Sequence, residues 1–175
     1  MKAHSSTKKL TVTAILMAMV IVMCSFSIPV PGGHMYLNDV IIVTAGILLD
    51  PFYAFVAGGV GAFLGDVFFY PTPMFVSLVV HGLQAVVISL CTRHLCGGNR
   101  KKASYIGVII GWIITFTGYT IGRAFIYSTP EYAILKLPFQ IIQTLVGSAA
   151  ALLLCWKAGI ADLYEKIIGN DKYNY

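Results

Sequence analysis

Apolar residues run along this chain in long, nearly unbroken stretches, separated by short clusters of proline, glycine and polar residues. The runs are continuous rather than alternating, which excludes the strands of a transmembrane barrel and predicts helices in a bilayer. Six segments emerge, at about 10–28, 37–49, 52–69, 74–93, 104–127 and 134–156. The second is short for a full crossing. Between them lie "LLDPFY" (Leu48 to Tyr53), "YPTP" (Tyr70 to Pro73) and "STPEY" (Ser128 to Tyr132), all read as breaks. Pro51 disfavours helix at Asp50. The first run has no small-x-small cleavage pattern ahead of a soluble domain, so it reads as a retained span.

Composition agrees with that class. Of the 175 residues, 58% are hydrophobic and 11% charged. A soluble domain needs more charge to cover its surface. The expected fold is therefore all-α: one integral membrane domain over residues 1–175, a bundle of six transmembrane helices.

The net charge of +5 does not point to nucleic acid, because the basic residues sit at the ends of apolar segments. Lys2, Lys8 and Lys9 precede the first segment. Arg93, Arg100, Lys101 and Lys102 flank the connection between the fourth and fifth. Lys157, Lys166 and Lys172 follow the sixth. With six spans these fall on one side, and the loops of the other side hold only Lys136. The charge bias then places both termini in the cytosol. The four cysteines, Cys24, Cys91, Cys96 and Cys155, form no CxxC pair and read as free thiols. No metal site is expected.

The stretch "PVPGGHMYLNDV", Pro29 to Val40, then lies outside the cell. A turn at Gly32 and Gly33, an Asn38 N-cap and Asp39 near a helix start explain part of it. They leave His34 and Tyr36 unexplained.

Polar groups inside spans are costly and mark function by default. Asp66 lies near the outer end of the third segment. His81 and Gln84 share a face of the fourth. Arg123 lies in the fifth, flanked by Tyr119 and Tyr127. Gln140, Gln143 and Thr144 share a face of the sixth. Individually the amides are explained by helix–helix hydrogen bonds, and Asp66 and Arg123 by a structural ion pair. Together they describe an outward-opening pocket for a flat heteroaromatic molecule. Tyr36, Tyr70, Trp112, Tyr119 and Tyr127 are the candidates to stack on its ring.

Two small-residue patterns remain. Ala54, Ala57, Gly58, Gly61, Ala62 and Gly65 line one face of the third segment, which internal packing explains. Ala14 and Ala18 form an AxxxA on the first. The chain has no phosphate-binding GxxxxGK[ST] loop, so a membrane solute binder of this kind needs an energised partner. The AxxxA patch is a docking candidate.

The stretch from Ser27 to Val87 resembles the substrate-binding S components of energy-coupling factor (ECF) vitamin transporters. It is closest to the branch with riboflavin, hydroxymethylpyrimidine and pyridoxine carriers. The resemblance rests on Tyr36-Leu37-Asn38-Asp39, on Leu48, Leu49 and Pro51, and on Gly58, Gly59, Gly61, Gly65, Asp66 and Tyr70. The glycine usual between the Asn and Asp of that branch is missing, and its "LGP" is "LDP" here. The resemblance implies a six-helix protein of the prokaryotic cell membrane. It implies a vitamin site near the outer face, to which His34, Tyr36, Asn38, His81, Gln84, Gln140 and Gln143 would contribute. It also implies that Ala14 and Ala18 dock on a transmembrane T component coupled to two ATPase subunits. The loop after the first span would gate the ligand.

The expectation is a vitamin-capture subunit, not an enzyme and without a cofactor of its own. Hydroxymethylpyrimidine or pyridoxine is favoured as ligand, with riboflavin as the alternative. The candidate site is His34, Tyr36, Asn38, His81, Gln84, Tyr119, Arg123, Tyr127, Gln140 and Gln143. A rival reading makes Ser77 a nucleophile and His81 its base, four residues apart on one helix, without a GxSxG motif to support it. A scaffold without a ligand is a third.

Overall fold

The computed structural model of the chain describes residues 2–169; Lys172 lies outside them. Five helices are long and apolar enough to cross a membrane. These are α1 (Lys2–Ser25), α3 (Pro51–Phe69), α4 (Met74–His94), α5 (Arg100–Tyr127) and α6 (Pro130–Trp156). A short apolar helix, α2 (Asp39–Leu48), and an amphipathic one, α7 (Ile160–Gly169), complete the helical set. So the six expected segments all fold as helices, one of them below spanning length, and a seventh helix follows.

A short β element accompanies the helices. Residues 28–35, expected as loop and as the end of the first span, form a two-stranded antiparallel ribbon. Strand β1 (Ile28–Val30) pairs with β2 (Gly33–Met35), with Pro29 opposite His34. The turn is Pro31–Gly32, with Gly32 at φ +82°, a conformation that favours glycine.

Prolines set several boundaries. Pro51 and Pro130 each occupy the first helical turn, where a missing N–H costs nothing. The break expected over Ser128 to Tyr132 therefore shrinks to Ser128 and Thr129, with Glu131 and Tyr132 already helical. Pro138 lies inside α6. Wider π-helical turns interrupt α3 at Val56–Val60 and end α5 at Arg123–Tyr127. The Asn99 side chain caps α5 by accepting from the Lys102 N–H at 3.1 Å.

Helix α2 is the centre of the core, and nine of its ten residues are buried. The small-residue face of α3 is spent on internal packing. A Cβ on Gly58 would meet Ala85 and Ile42 at 3.0–3.1 Å, and one on Gly61 would meet Val20 at 3.2 Å. Such close backbone approach is what small residues permit between membrane helices.

The end of α2 opposite the hairpin is held by a charge cluster. Asp50 bridges Lys9 of α1 at 2.6 Å and Arg93 of α4 at 3.1 Å. Arg93 also donates to the Leu48 carbonyl at 3.0 Å, Arg100 to Ile47 at 3.2 Å, and the Ser89 hydroxyl to Leu49 at 2.6 Å. These side chains satisfy carbonyls that a helix end leaves without partners. Helix α7 joins the cluster through an Arg100–Glu165 ion pair, and Lys8 donates to the Ile167 carbonyl at 3.2 Å. All four cysteines are free.

Candidate functional site

A cavity opens between the hairpin and α3, α4, α5 and α6. Its volume is about 70 Å³. A cavity needs about 10–15 Å³ to hold one water, so this one has room for more than one. Nine of the ten candidate residues line it: His34 and Tyr36 from the hairpin side, Asn38 before α2, His81 on α4, Tyr119, Arg123 and Tyr127 on α5, and Gln140 and Gln143 on α6. Asp66, Tyr70 and Ser77 also contribute walls. Gln84 does not line the cavity; it lies beneath it.

The polar groups under the cavity converge on a residue that the sequence left as a helix starter. Asp39 is fully buried. Its Oδ2 accepts from Gln143 Nε2 at 3.0 Å and its Oδ1 from Gln84 Nε2 at 3.4 Å. With its amide nitrogen committed to Asp39, Gln84 offers its oxygen to His81 Nδ1 at 2.8 Å. That contact requires Nδ1 to carry the proton, so in neutral His81 the lone pair is on Nε2. His81 Nδ1 is 3.9 Å from Asp39 Oδ1. On the other arm, Gln143 Oε1 accepts from the Tyr36 backbone N–H at 3.2 Å. One buried carboxylate therefore orients two glutamines, and through them a histidine and the segment after the hairpin. Helix α6 comes close enough because residue 147 is glycine: a Cβ there would stand 2.6 Å from the Asp39 Cβ.

Asn38 is not an N-cap in the expected sense, since its side chain accepts no bond from the helix. Its amide instead donates to Cys24 Sγ at 3.4 Å. Lys136, counted from sequence among loop charges, lies on α6, is 1% exposed, and donates to the His34 carbonyl at 2.6 Å. The sequence did carry a signal: Lys136 is the lone basic residue assigned to loops on its side.

Six buried polar atoms on the cavity wall have no partner: His34 Nδ1, Tyr36 Oη, Asn38 Oδ1, Asp66 Oδ2, Tyr127 Oη and Gln140 Nε2. Unpaired buried polar groups each cost about 1–3 kcal/mol. Clustered around one space, they describe a surface complementary to something with both donors and acceptors. Burial pushes the Tyr36 phenol up, and the Asp66 carboxylate adds to it, so this hydroxyl keeps its proton.

Asp66 and Arg123 do not pair. Among the described residues no carboxylate is within ion-pair distance of Arg123, whose guanidinium sits over the Tyr127 ring at 5.7 Å. The π turn carries both of these residues at the end of α5. Of the aromatic candidates, Tyr36, Tyr70, Tyr119 and Tyr127 line the cavity. Trp112 does not; it stacks on Phe116 at 5.8 Å. His34 meets Tyr70 edge-on at 4.6 Å, and His81 meets Tyr119 at 5.2 Å.

The Ser77–His81 dyad is not formed. The Ser77 hydroxyl accepts from Tyr119 Oη at 2.6 Å, and His81 Nδ1 faces Gln84. A nucleophile needs its base within hydrogen-bond reach. Ala14 and Ala18 are away from the cavity, exposed on one face of α1.

Comparison with known proteins agrees with these features. A family model described as "ECF-type riboflavin transporter, S component" matches residues 4–159. An uncharacterised protein from Pyrococcus woesei is 30% identical over 122 residues, which cover 69% of this chain and 80% of that protein. A solved structure of the S component of a bacterial ECF transporter superposes with a TM-score of 0.73 at 19% identity, covering 88% of this chain and 96% of the other.

Proposed function

The chain belongs to the S-component family of ECF-type riboflavin transporters, and from that membership we propose that its cavity captures a single-ring pyrimidine or pyridine vitamin, hydroxymethylpyrimidine or pyridoxine. The family is one of substrate-binding transporter subunits, not enzymes. The observation that carries the reading is the set of six partnerless polar atoms around one cavity. Tyr36, Tyr127 and Gln140 offer donors, and Asn38 and Asp66 offer acceptors. An aminopyrimidine or a hydroxylated pyridine supplies the complements, while tyrosine rings flank its plane.

Size supports the same choice. The cavity is small, about 70 Å³, and closed over by the seated hairpin, which favours a single-ring ligand over a three-ring one. The family description favours riboflavin as a second reading, which requires the hairpin to move outward.

Both termini then face the cytosol, as the basic residues indicate, and the cavity opens outward at the cell membrane. A T component and two ATPase subunits energise uptake, with Ala14 and Ala18 as the docking face. The purified protein, titrated with hydroxymethylpyrimidine, pyridoxine and riboflavin by isothermal calorimetry, tests the reading. Submicromolar binding of a single-ring vitamin is expected; riboflavin alone binding selects the second reading, and no binding below micromolar defeats both.

His81→Ala is expected to weaken that binding by about 1–3 kcal/mol, because it strips Gln84 of its partner and removes a cavity wall. Calorimetry on the variant checks it. Unchanged affinity returns His81 to a packing role.

A further inference from the structure

We propose that Lys136 is a positioning residue that latches the hairpin shut, so that release of a bound ligand requires its ammonium to leave the His34 carbonyl. The inference rests on the hairpin being a movable wall of the proposed site. Lys136, Gln140 and Gln143 lie at successive turns of one α6 face. The outer two hold backbone of the hairpin segment: Lys136 Nζ donates to the His34 carbonyl at 2.6 Å, and Gln143 Oε1 accepts from the Tyr36 N–H at 3.2 Å. The middle one keeps Nε2 unspent at the cavity.

The two anchors differ in what they lose on opening. Gln143 also bonds Asp39, so it is held by the bundle whether or not the hairpin is seated. Lys136 has no carboxylate within ion-pair distance among the described residues. At 1% exposed, its charge is answered by the hairpin's carbonyl. A buried charge with one strong acceptor resists losing it. The tip of the hairpin is seated on the same turn of α6. A Cβ on Gly32 would stand 2.6 Å from the Tyr132 carbonyl oxygen and 3.0 Å from the Lys136 Cβ. Charge-assisted bonding and close contact thus act at one place, the point where the ribbon rests on α6.

Hydrogen exchange on the ligand-free, detergent-solubilised protein tests the latch without needing the vitamin's identity. In Lys136→Met, peptides covering His34 to Tyr36 are expected to exchange about 10- to 100-fold faster, as for a lost hydrogen bond to a charged group. Exchange in α2 and α4 should stay as in the wild type. Lys136→Arg keeps a donor and should restore most of the protection, whereas exposed Lys166→Met on α7 should change nothing. A parallel arm loads hydroxymethylpyrimidine or pyridoxine and follows release by dilution: Lys136→Met should speed release by a similar factor with little change in the association rate. Unchanged hairpin exchange in Lys136→Met overturns the latch, and so does faster exchange throughout the bundle, which would mark a general packing role. If neither vitamin binds the wild type, the site's ligand assignment fails, and the exchange arm still decides the latch. Should Lys136→Met not fold, Lys136→Gln, which removes the charge and keeps a polar side chain, is read in its place with the same outcomes.

Discussion

Asp39→Ala is expected to abolish vitamin binding and to lower the thermal unfolding temperature of the detergent-solubilised protein. The carboxylate is fully buried and accepts from both Gln84 and Gln143. Hydrogen bonds to charged groups contribute about 1.5–3 kcal/mol each, so losing two together costs about 3–6 kcal/mol. The loss also spreads. Gln84 no longer has a reason to turn its oxygen to His81, and Gln143 is freed from α2 while it holds the Tyr36 N–H. The cavity then loses the orientation of its floor and of one wall at once. Asp39→Asn keeps one carbonyl acceptor and should fall between wild type and Ala. Calorimetric titration and a thermal melt on the same samples measure both effects. Wild-type affinity in a folded Asp39→Ala protein would remove Asp39 from the centre of the site.

The second large effect is expected in cells rather than in the cuvette. Ala14→Trp or Ala18→Trp should abolish uptake by intact cells while the purified variant binds its vitamin with unchanged affinity. Both alanines are exposed on α1, one turn apart, among the exposed Leu10, Ile15, Met19 and Val22. They form the low ground of an otherwise bulky apolar face. A tryptophan there extends into lipid and meets nothing within the chain, so the fold tolerates it. Only another helix seated on that face would be displaced. Lost affinity with normal assembly of the transporter complex counts against the docking role.

The membrane class and all six apolar segments were legible because helices in lipid write themselves as long apolar runs. The buried polar residues of α4 and α6 were legible for the complementary reason: His81, Gln84, Gln140 and Gln143 are polar where polarity is costly. Asp39 and Lys136 escaped because of where they stand in the sequence. An acid in the first turn of a helix is already explained by the helix dipole, and a lysine near a span end is already explained by snorkelling. Nothing local tells that both are buried; that follows only from α6 packing over α2 at Gly147 and under the hairpin at Gly32. The ribbon itself was hidden by its brevity, two strands of three residues with a proline in one. Trp112 was misassigned for a different reason. Its helix is right, and it shares a face with Tyr119, but it stands seven residues, about 10 Å of helix rise, back along α5 and does not reach the cavity.

The shortness of α2 has a consequence for depth. Ten residues of helix rise about 15 Å, half of a hydrocarbon core of about 30 Å. One end of α2 carries the Lys9–Asp50–Arg93 cluster, and charged groups of this kind belong with water and headgroups. Its other end, with Asp39, therefore stands one helix length, about 15 Å, from that cluster, and the hairpin lies beyond it. A molecule resting above Asp39 is therefore separated from the Lys9–Asp50–Arg93 cluster by the length of α2 and the side chains packed around it.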